Sequence, residues 1–176
     1  MLRSMFRRSL PTEAAHALYA GVVAQARSPF LFREMQVPDT VDGRFEMVSL
    51  HAFLVLRRLK SESEATADLA QALFDAMFDD MDLTLREMGA GDMGVGKRVK
   101  AMVQAFYGRV AAYEGGLSTG GAGLADALRR NAFPGATPAD ASVQALARYV
   151  EAQDAHLSVC ALDGLRAGEL SFREVR

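Results

Sequence analysis

The sequence predicts an all-α fold, a single helical domain of about six helices packed around a buried central helix at about residues 42–60. Three observations carry this. Within residues 37–59, Phe45, Met47, Val48, Leu50, Phe53, Leu54, Val55, Leu56 and Leu59 point in most directions of a helical wheel, and a helix apolar nearly all round is a buried one. No period-two alternation runs through that stretch, and it ends in Arg57, Arg58 and Lys60, cations suited to a helix C-terminus. The other apolar residues recur at helical spacing in segments separated by Gly and Pro signals.

Size and composition narrow the function classes. A chain of 176 residues, 50% of them hydrophobic, fills one real core. A formal net charge of −2 provides no global basic field, so no nucleic-acid partner is expected. The single cysteine, Cys160, excludes an intramolecular disulfide and a cysteine zinc site, and it reads as a small buried hydrophobe on a late helix. No segment approaches the roughly 18 apolar residues that span a bilayer. Residues 1–11 form a basic N-terminal segment, with Arg3, Arg7 and Arg8 among Leu2, Met5, Phe6 and Leu10. It has no secretory h-region and reads as a solvated terminus, or as a basic amphipathic turn making peripheral membrane contact with anionic lipid. The helical domain is then 12–176.

The first helix is expected over about 12–27, where Ala15, Leu18, Tyr19, Val22, Val23 and Ala26 follow the i, i+3, i+4, i+7 pattern, and Ser28 and Pro29 end it. The next stretch holds Phe30, Leu31, Phe32, Met35 and Val37 between two prolines, so it either folds back over the core or leaves apolar groups for a partner. In the central helix, Arg44 sits at the wrong end of the helix dipole and calls for an anion, Asp39 or Asp42. His51 lies on the wheel beside Val48 and Val55 and reads as a neutral, hydrogen-bonded core residue.

A third helix is expected over about 65–88. Leu73, Met77, Met81, Leu85 and Met88 line its apolar face, with Asp68, Asp75, Asp79, Asp82 and Arg86 on a narrow opposite stripe. Like charges at i, i+3 and i+4 weaken that helix, so the stripe reads as a solvated face or as one matched by cations elsewhere. Gly89, Gly91 and Gly94 match G-x-G-x-x-G, but a helix precedes them where a dinucleotide site needs a strand. Gly89 is better read as a left-handed helix cap, with Asp92 capping the next helix.

That fourth helix, about 93–116, has the seam Val95, Val99, Met102, Val103, Phe106, Val110, Tyr113 and Leu117. Lys97, Arg98 and Lys100 occupy its first turns against the dipole and ask for anions: Asp82 and Glu87 from the preceding helix, or an acidic partner or lipid headgroup. Five glycines between Gly115 and Gly123 mark a turn, residues 124–133 a short helix stopped by Pro134 and Gly135. Thr137, Pro138 and Asp140 open a last helix carrying Val143, Leu146, Ala147, Val150, Leu157 and Ala161, closed by Gly164. The tail carries no clear signal.

Reactive chemistry is sparse. A bundle di-iron site needs two Glu-x-x-His motifs, and only Glu13 to His16 provides one. His16, His51 and His156 lie on three separate segments, and HExxH, GxSxG and P-loop motifs are all lacking. The sequence therefore reads as a non-enzyme with no cofactor and no metal.

The words VPDTVDGRFEMVSLH, LAQALFDAMFDDMDLTLREMG and VGKRVKAMVQAFYGR, in that order, resemble the ubiquinol-cytochrome c chaperone family, helical assembly factors of the cytochrome bc1 complex. The likeness runs from about residue 18 to 113 and more weakly through LRAGELSF. It matches Asp39, Asp42, Gly43, Arg44 and Phe45 in the first word, Asp79, Asp80 and Arg86 in the second, and Lys97, Arg98, Tyr107 and Gly108 in the third. The resemblance implies an assembly chaperone that binds newly made cytochrome b and promotes its maturation. Mitochondrial members carry a long leading segment and act with a small helical co-chaperone. This chain starts almost at its first core helix, which leaves that partner open and favours a bacterial cytoplasm, peripheral at the inner membrane. Candidates for binding client or partner are Arg44, Phe45, Met77, Asp79, Asp82, Met88, Lys97, Arg98, Lys100 and Tyr107, with Met-rich surface between the third and fourth helices suited to an apolar client. Two other readings remain: a helical-bundle quinone- or metal-binding protein or enzyme, and a lipid-surface adaptor using Arg3, Arg7 and Arg8.

Overall fold

The structure, a computed structural model, describes residues 2–89 and 91–174, the side chains of residues 2–10, 92 and 93 excepted. The expected membrane contact of Arg3, Arg7 and Arg8 lies outside the described residues; Asp92, expected to cap the helix after Gly89, is instead its first residue, and Gly91 is the N-cap. Within them the elements are α1 (Leu2–Ala26), α2 (Pro29–Arg33), α3 (Val41–Lys60), α4 (Ser63–Glu87), α5 (Asp92–Thr119), α6 (Ala122–Asn131), α7 (Asp140–Ser158) and α8 (Leu162–Arg166). No strand occurs among them.

Helix α3 is the expected central helix, and α1, α4, α5 and α7 pack around it. Met47, Leu50, Leu54, Val55 and Leu59 have no exposed surface, and Phe53 only 1%. Its start is fixed by chemistry: the Thr40 hydroxyl accepts a hydrogen bond from the Gly43 amide at 3.1 Å. Gly43 is also sterically required, because a Cβ there would sit 1.9 Å from the Pro38 carbonyl oxygen. Arg44 finds its anion in Asp39, at 2.6 Å. The segment between the prolines folds back over the core, with Leu31, Met35 and Val37 buried.

Several boundaries differ from the expectation. Helix α1 begins about ten residues before Thr12 and continues through Pro11, so the basic N-terminal segment is helical backbone continuous with the first core helix. Helix α5 extends past Gly116 to Thr119, because Gly116 lets its backbone lie against Leu124 of α6, and the turn falls at Gly120 and Gly121 with positive φ. Helix α7 is capped by Ala139 rather than Thr137, leaving Pro138 outside it, and Asp140 pairs instead with Arg129 at 2.7 Å. It stops at Ser158, where Arg58 of α3 donates to the Cys160 carbonyl at 2.8 Å. The chain then restarts as α8. Cys160 is accordingly a half-buried residue beyond the helix end.

The tail takes a definite place. Beyond α8 it runs extended along α1 and α7, Leu170 against Gly21 and Phe172 edge-on to His51 with ring centroids 5.3 Å apart. The buried amide of Gln153 acts as a surrogate strand: its Oε1 accepts from the Arg173 amide at 2.8 Å and its Nε2 donates to the Arg173 carbonyl at 2.9 Å. Gly89 adopts φ +86° after α4, the left-handed cap expected of it.

Candidate functional site

The sequence candidates fall on the α4–α5 hairpin and the start of α3. Helix α4 packs its inner face on α1 and α3, which buries Met77 completely. A side chain with no exposed surface touches no partner, so Met77 belongs to the core and not to a binding surface. Asp79 is exposed, and Asp82 forms an ion pair with Arg86 one turn on. Asp80, adjacent to the stripe, accepts a hydrogen bond from the Tyr19 hydroxyl at 2.7 Å and ties α4 to α1. Met88 is 63% exposed at the tip of the hairpin, and Leu83 of the preceding turn 55%.

Across the hairpin, Lys97, Arg98 and Lys100 are exposed on the first turns of α5. The anions expected for them do not arrive. Among the described residues no ion pair joins any of the three to Asp82 or Glu87, since Asp82 is engaged by Arg86 within its own helix. Two turns beyond Lys100, Tyr107 is 58% exposed and stacks on Phe74 of α4 with centroids 5.6 Å apart and 29° between planes. Phe78 and Phe106 meet the same aromatic cluster from below. The hairpin thus presents Leu83, Met88 and Tyr107 beside three cations without described partners.

Arg44 and Phe45 lie apart from the tip but are coupled to α5. Arg109 stands 5.6 Å over the Phe45 ring and grips the carboxylate of Glu46 with two hydrogen bonds. Glu46 is only 4% exposed, and its burial raises its pKa despite the guanidinium. Beside this pair the Tyr113 hydroxyl is buried without a hydrogen-bond partner. A second cross-link lies further along α3: Arg57 donates to Glu114 of α5 and, at 2.9 Å, to Asp154 of α7. Sequence reasoning missed both. An acid at position 46, inside a helix apolar on all sides, was a signal that a cation had to meet it.

His51 is occupied structurally. Its Nδ1 lies 2.7 Å from the Met47 carbonyl, which can only accept, so Nδ1 carries the proton. Its Nε2 therefore accepts from the Tyr149 hydroxyl at 2.6 Å, and that hydroxyl accepts from Gln25 at 2.9 Å. Burial lowers the imidazole pKa to about 4, which keeps it neutral. Glu13 and His16 are both exposed, and no group of three His, Cys, Asp or Glu side chains among the described residues is placed to hold a metal ion. No helix among them is long and apolar enough to cross a membrane. What the surface provides is apolar contact bordered by charge.

Comparison with known proteins agrees with that description. The family model for ubiquinol-cytochrome C chaperones matches residues 33–172. The chain belongs to this family. Within it, ubiquinol-cytochrome c reductase complex assembly factor 1 of Mus musculus is 28% identical over 161 residues, covering 91% of this chain and 55% of the mouse protein. The Homo sapiens protein of the same name is 29% identical over 161 residues, covering 91% and 54%. The chain therefore spans about half the length of the curated relatives it matches. The crystal structure of the Cbp3 homolog from Brucella abortus superposes with a TM-score of 0.83 at 41% identity, covering 99% of this chain and 97% of that one. The family match takes in α3, α4 and α5, and hence the α4–α5 tip and both cross-links of this chaperone-family protein.

Proposed function

We propose that the chain is a non-enzymatic assembly chaperone that binds newly made cytochrome b and promotes assembly of the cytochrome bc1 complex. The observation that carries this reading is the family match over residues 33–172. The printed names of the mouse and human relatives, which are assembly factors of ubiquinol-cytochrome c reductase, support it. The surface is consistent with the role: a membrane subunit presents apolar segments, and exposed Leu83, Met88 and Tyr107 give them contact area. In this reading Lys97, Arg98 and Lys100 face the anionic inner-membrane surface or acidic client loops, and the protein works on the cytoplasmic side, peripheral at the membrane.

Deletion of the gene tests it, followed by native gel analysis of the bc1 complex and absorbance of cytochrome b haem. Loss of both, restored by the intact chain, is the expected result. Unchanged bc1 levels would remove the proposal. Photo-crosslinking from position 83, 88 or 107 in cells should capture cytochrome b, and capture of soluble proteins alone would count against the client assignment.

A further inference from the structure

Beyond α8 the tail lies in a groove between α1 and α7, and the two walls of that groove differ. On the α1 side Ala14, Ala17 and Gly21 recur at i, i+3, i+7, a strip of small residues that lets another backbone come close. A Cβ on Gly168 would stand 2.9 Å from the Ala17 Cβ, and one on Gly21 would stand 3.0 Å from the Leu170 Cδ2. On the α7 side Gln153, with no exposed surface, turns its amide to the tail and meets both main-chain groups of Arg173. One turn on, the His156 Nε2 lies 3.1 Å from the Ser171 carbonyl, which can only accept, so the imidazole donates.

The contact pattern is that of a strand added to a sheet edge. Leu170 and Phe172 alternate inward, the first over Gly21 and the second edge-on to His51, while Ser171 and Arg173 are exposed and hold on through main-chain atoms. Main-chain hydrogen bonds carry little sequence preference, so the groove selects an extended backbone with large apolar side chains at i and i+2. The tail is one such segment. Both its anchors are only half-buried, so it is lightly committed to the core. Gln153 makes an empty groove costly, because a buried amide then loses both of these main-chain partners. A released tail leaves a site that takes another backbone in its place.

We propose that the tail is an exchangeable strap, and that the groove beneath it docks an extended segment of another polypeptide. Two large apolar side chains of that segment fill the slots over Gly21 and His51, and its main chain pairs with Gln153. The inference goes beyond the chaperone reading and stands whether or not cytochrome b is the client.

The test uses the purified full chain with Cys160→Ser, Gly21→Cys and Leu170→Cys. A Cβ on Gly21 lies 3.4 Å from the Leu170 Cβ, close to the roughly 3.5–4.5 Å of a disulfide, so oxidation locks the strap and reduction frees it in the same protein. The probe is a fluorescein-labelled peptide with the tail's own sequence, GELSFRE, read by anisotropy. The reduced form should bind it saturably, and the oxidised form about tenfold more weakly or not at all. A full chain carrying Phe172→Ser, whose own anchor is gone, should bind it about tenfold more tightly than the parent. Replacing the peptide's Leu and Phe by Ser should abolish binding, and N-methylation of its Arg nitrogen should weaken binding about tenfold, since the Gln153 oxygen then has no donor. Equal binding by the oxidised and reduced forms, no saturable binding by the Phe172→Ser chain, or indifference to the N-methyl group would overturn the proposal. So would loss of helical circular dichroism in both the Phe172→Ser chain and the reduced double-cysteine chain, which would make the tail part of the core.

Discussion

At the scale of the residue, the polar groups of α3 show which pairings can be read from a sequence. His51 was legible, because a lone imidazole beside Val48 and Val55 has to be neutral and satisfied, and the Met47 carbonyl and Tyr149 hydroxyl satisfy it. Its pKa near 4 lies below the ordinary 6.5, so between these values the unfolded chain takes up a proton that the folded one refuses. Its contribution to stability is complete above pH 6.5 and is lost as pH falls toward 4, to a total of about 3 kcal/mol at 1.36 kcal/mol per unit. Urea unfolding across that window should give a steeper fall for the parent than for His51→Phe. Parallel curves would show that the imidazole is not the group being titrated. Glu46 and Arg109 were not legible as a pair, since they are 63 positions apart and no local pattern joins them. Arg109→Met leaves a buried carboxylate uncompensated and should cost about 3–5 kcal/mol, whereas Glu46→Gln, which removes the charge that burial penalises, should cost distinctly less. Chemical denaturation of both variants measures the difference, and equal losses would mean that the pair contributes by packing alone.

At the scale of the element, the existence and order of the long helices followed from apolar periodicity, and their ends followed from contacts that periodicity does not contain. Helix α5 shows this. Five glycines between Gly115 and Gly123 read as a connection, yet the first two are helical, one of them because α6 comes so close that a Cβ on Gly116 would sit 2.7 Å from the Leu124 Cα. Gly108, two turns earlier, has nothing within 4 Å of the corresponding position. The two glycines should therefore respond oppositely to alanine. Gly116→Ala forces α5 and α6 apart and should lose about 1–3 kcal/mol. Gly108→Ala adds helix propensity in open space and should gain about 0.5–1 kcal/mol. Thermal melts of the two variants check the signs, and a loss at Gly108 would place an unseen constraint on that face. The tail illustrates the same limit: nothing in LRAGELSF announced that the Gln153 amide would pair with the Arg173 backbone, because the partner is a side chain on another helix.

At the scale of the whole molecule, the apolar content specified what is buried, and the residues left over define what the fold can offer a partner. Met77 and Met88 had the same standing in the sequence, on one face of one helix, and three-dimensional packing separated them: the first is in the core, the second at the exposed tip of the hairpin. The cations of α5 were legible as misplaced for their own helix, and they remain so in the fold, exposed on its first turns with no acidic side chain among the described residues to meet them. This gives a way to separate folding from function. Each cation opposes the helix dipole by about 0.3–1 kcal/mol where exposed, so replacing Lys97, Arg98 and Lys100 together by Glu should leave the melting temperature unchanged or raise it. If these side chains serve a client or an anionic membrane face, the same triple variant should fail to restore the bc1 complex in the deletion strain while accumulating to normal levels. A variant that melts early would mean the cations have an anionic partner inside the fold after all. One that is stable and fully restores assembly would move the working surface away from the hairpin tip.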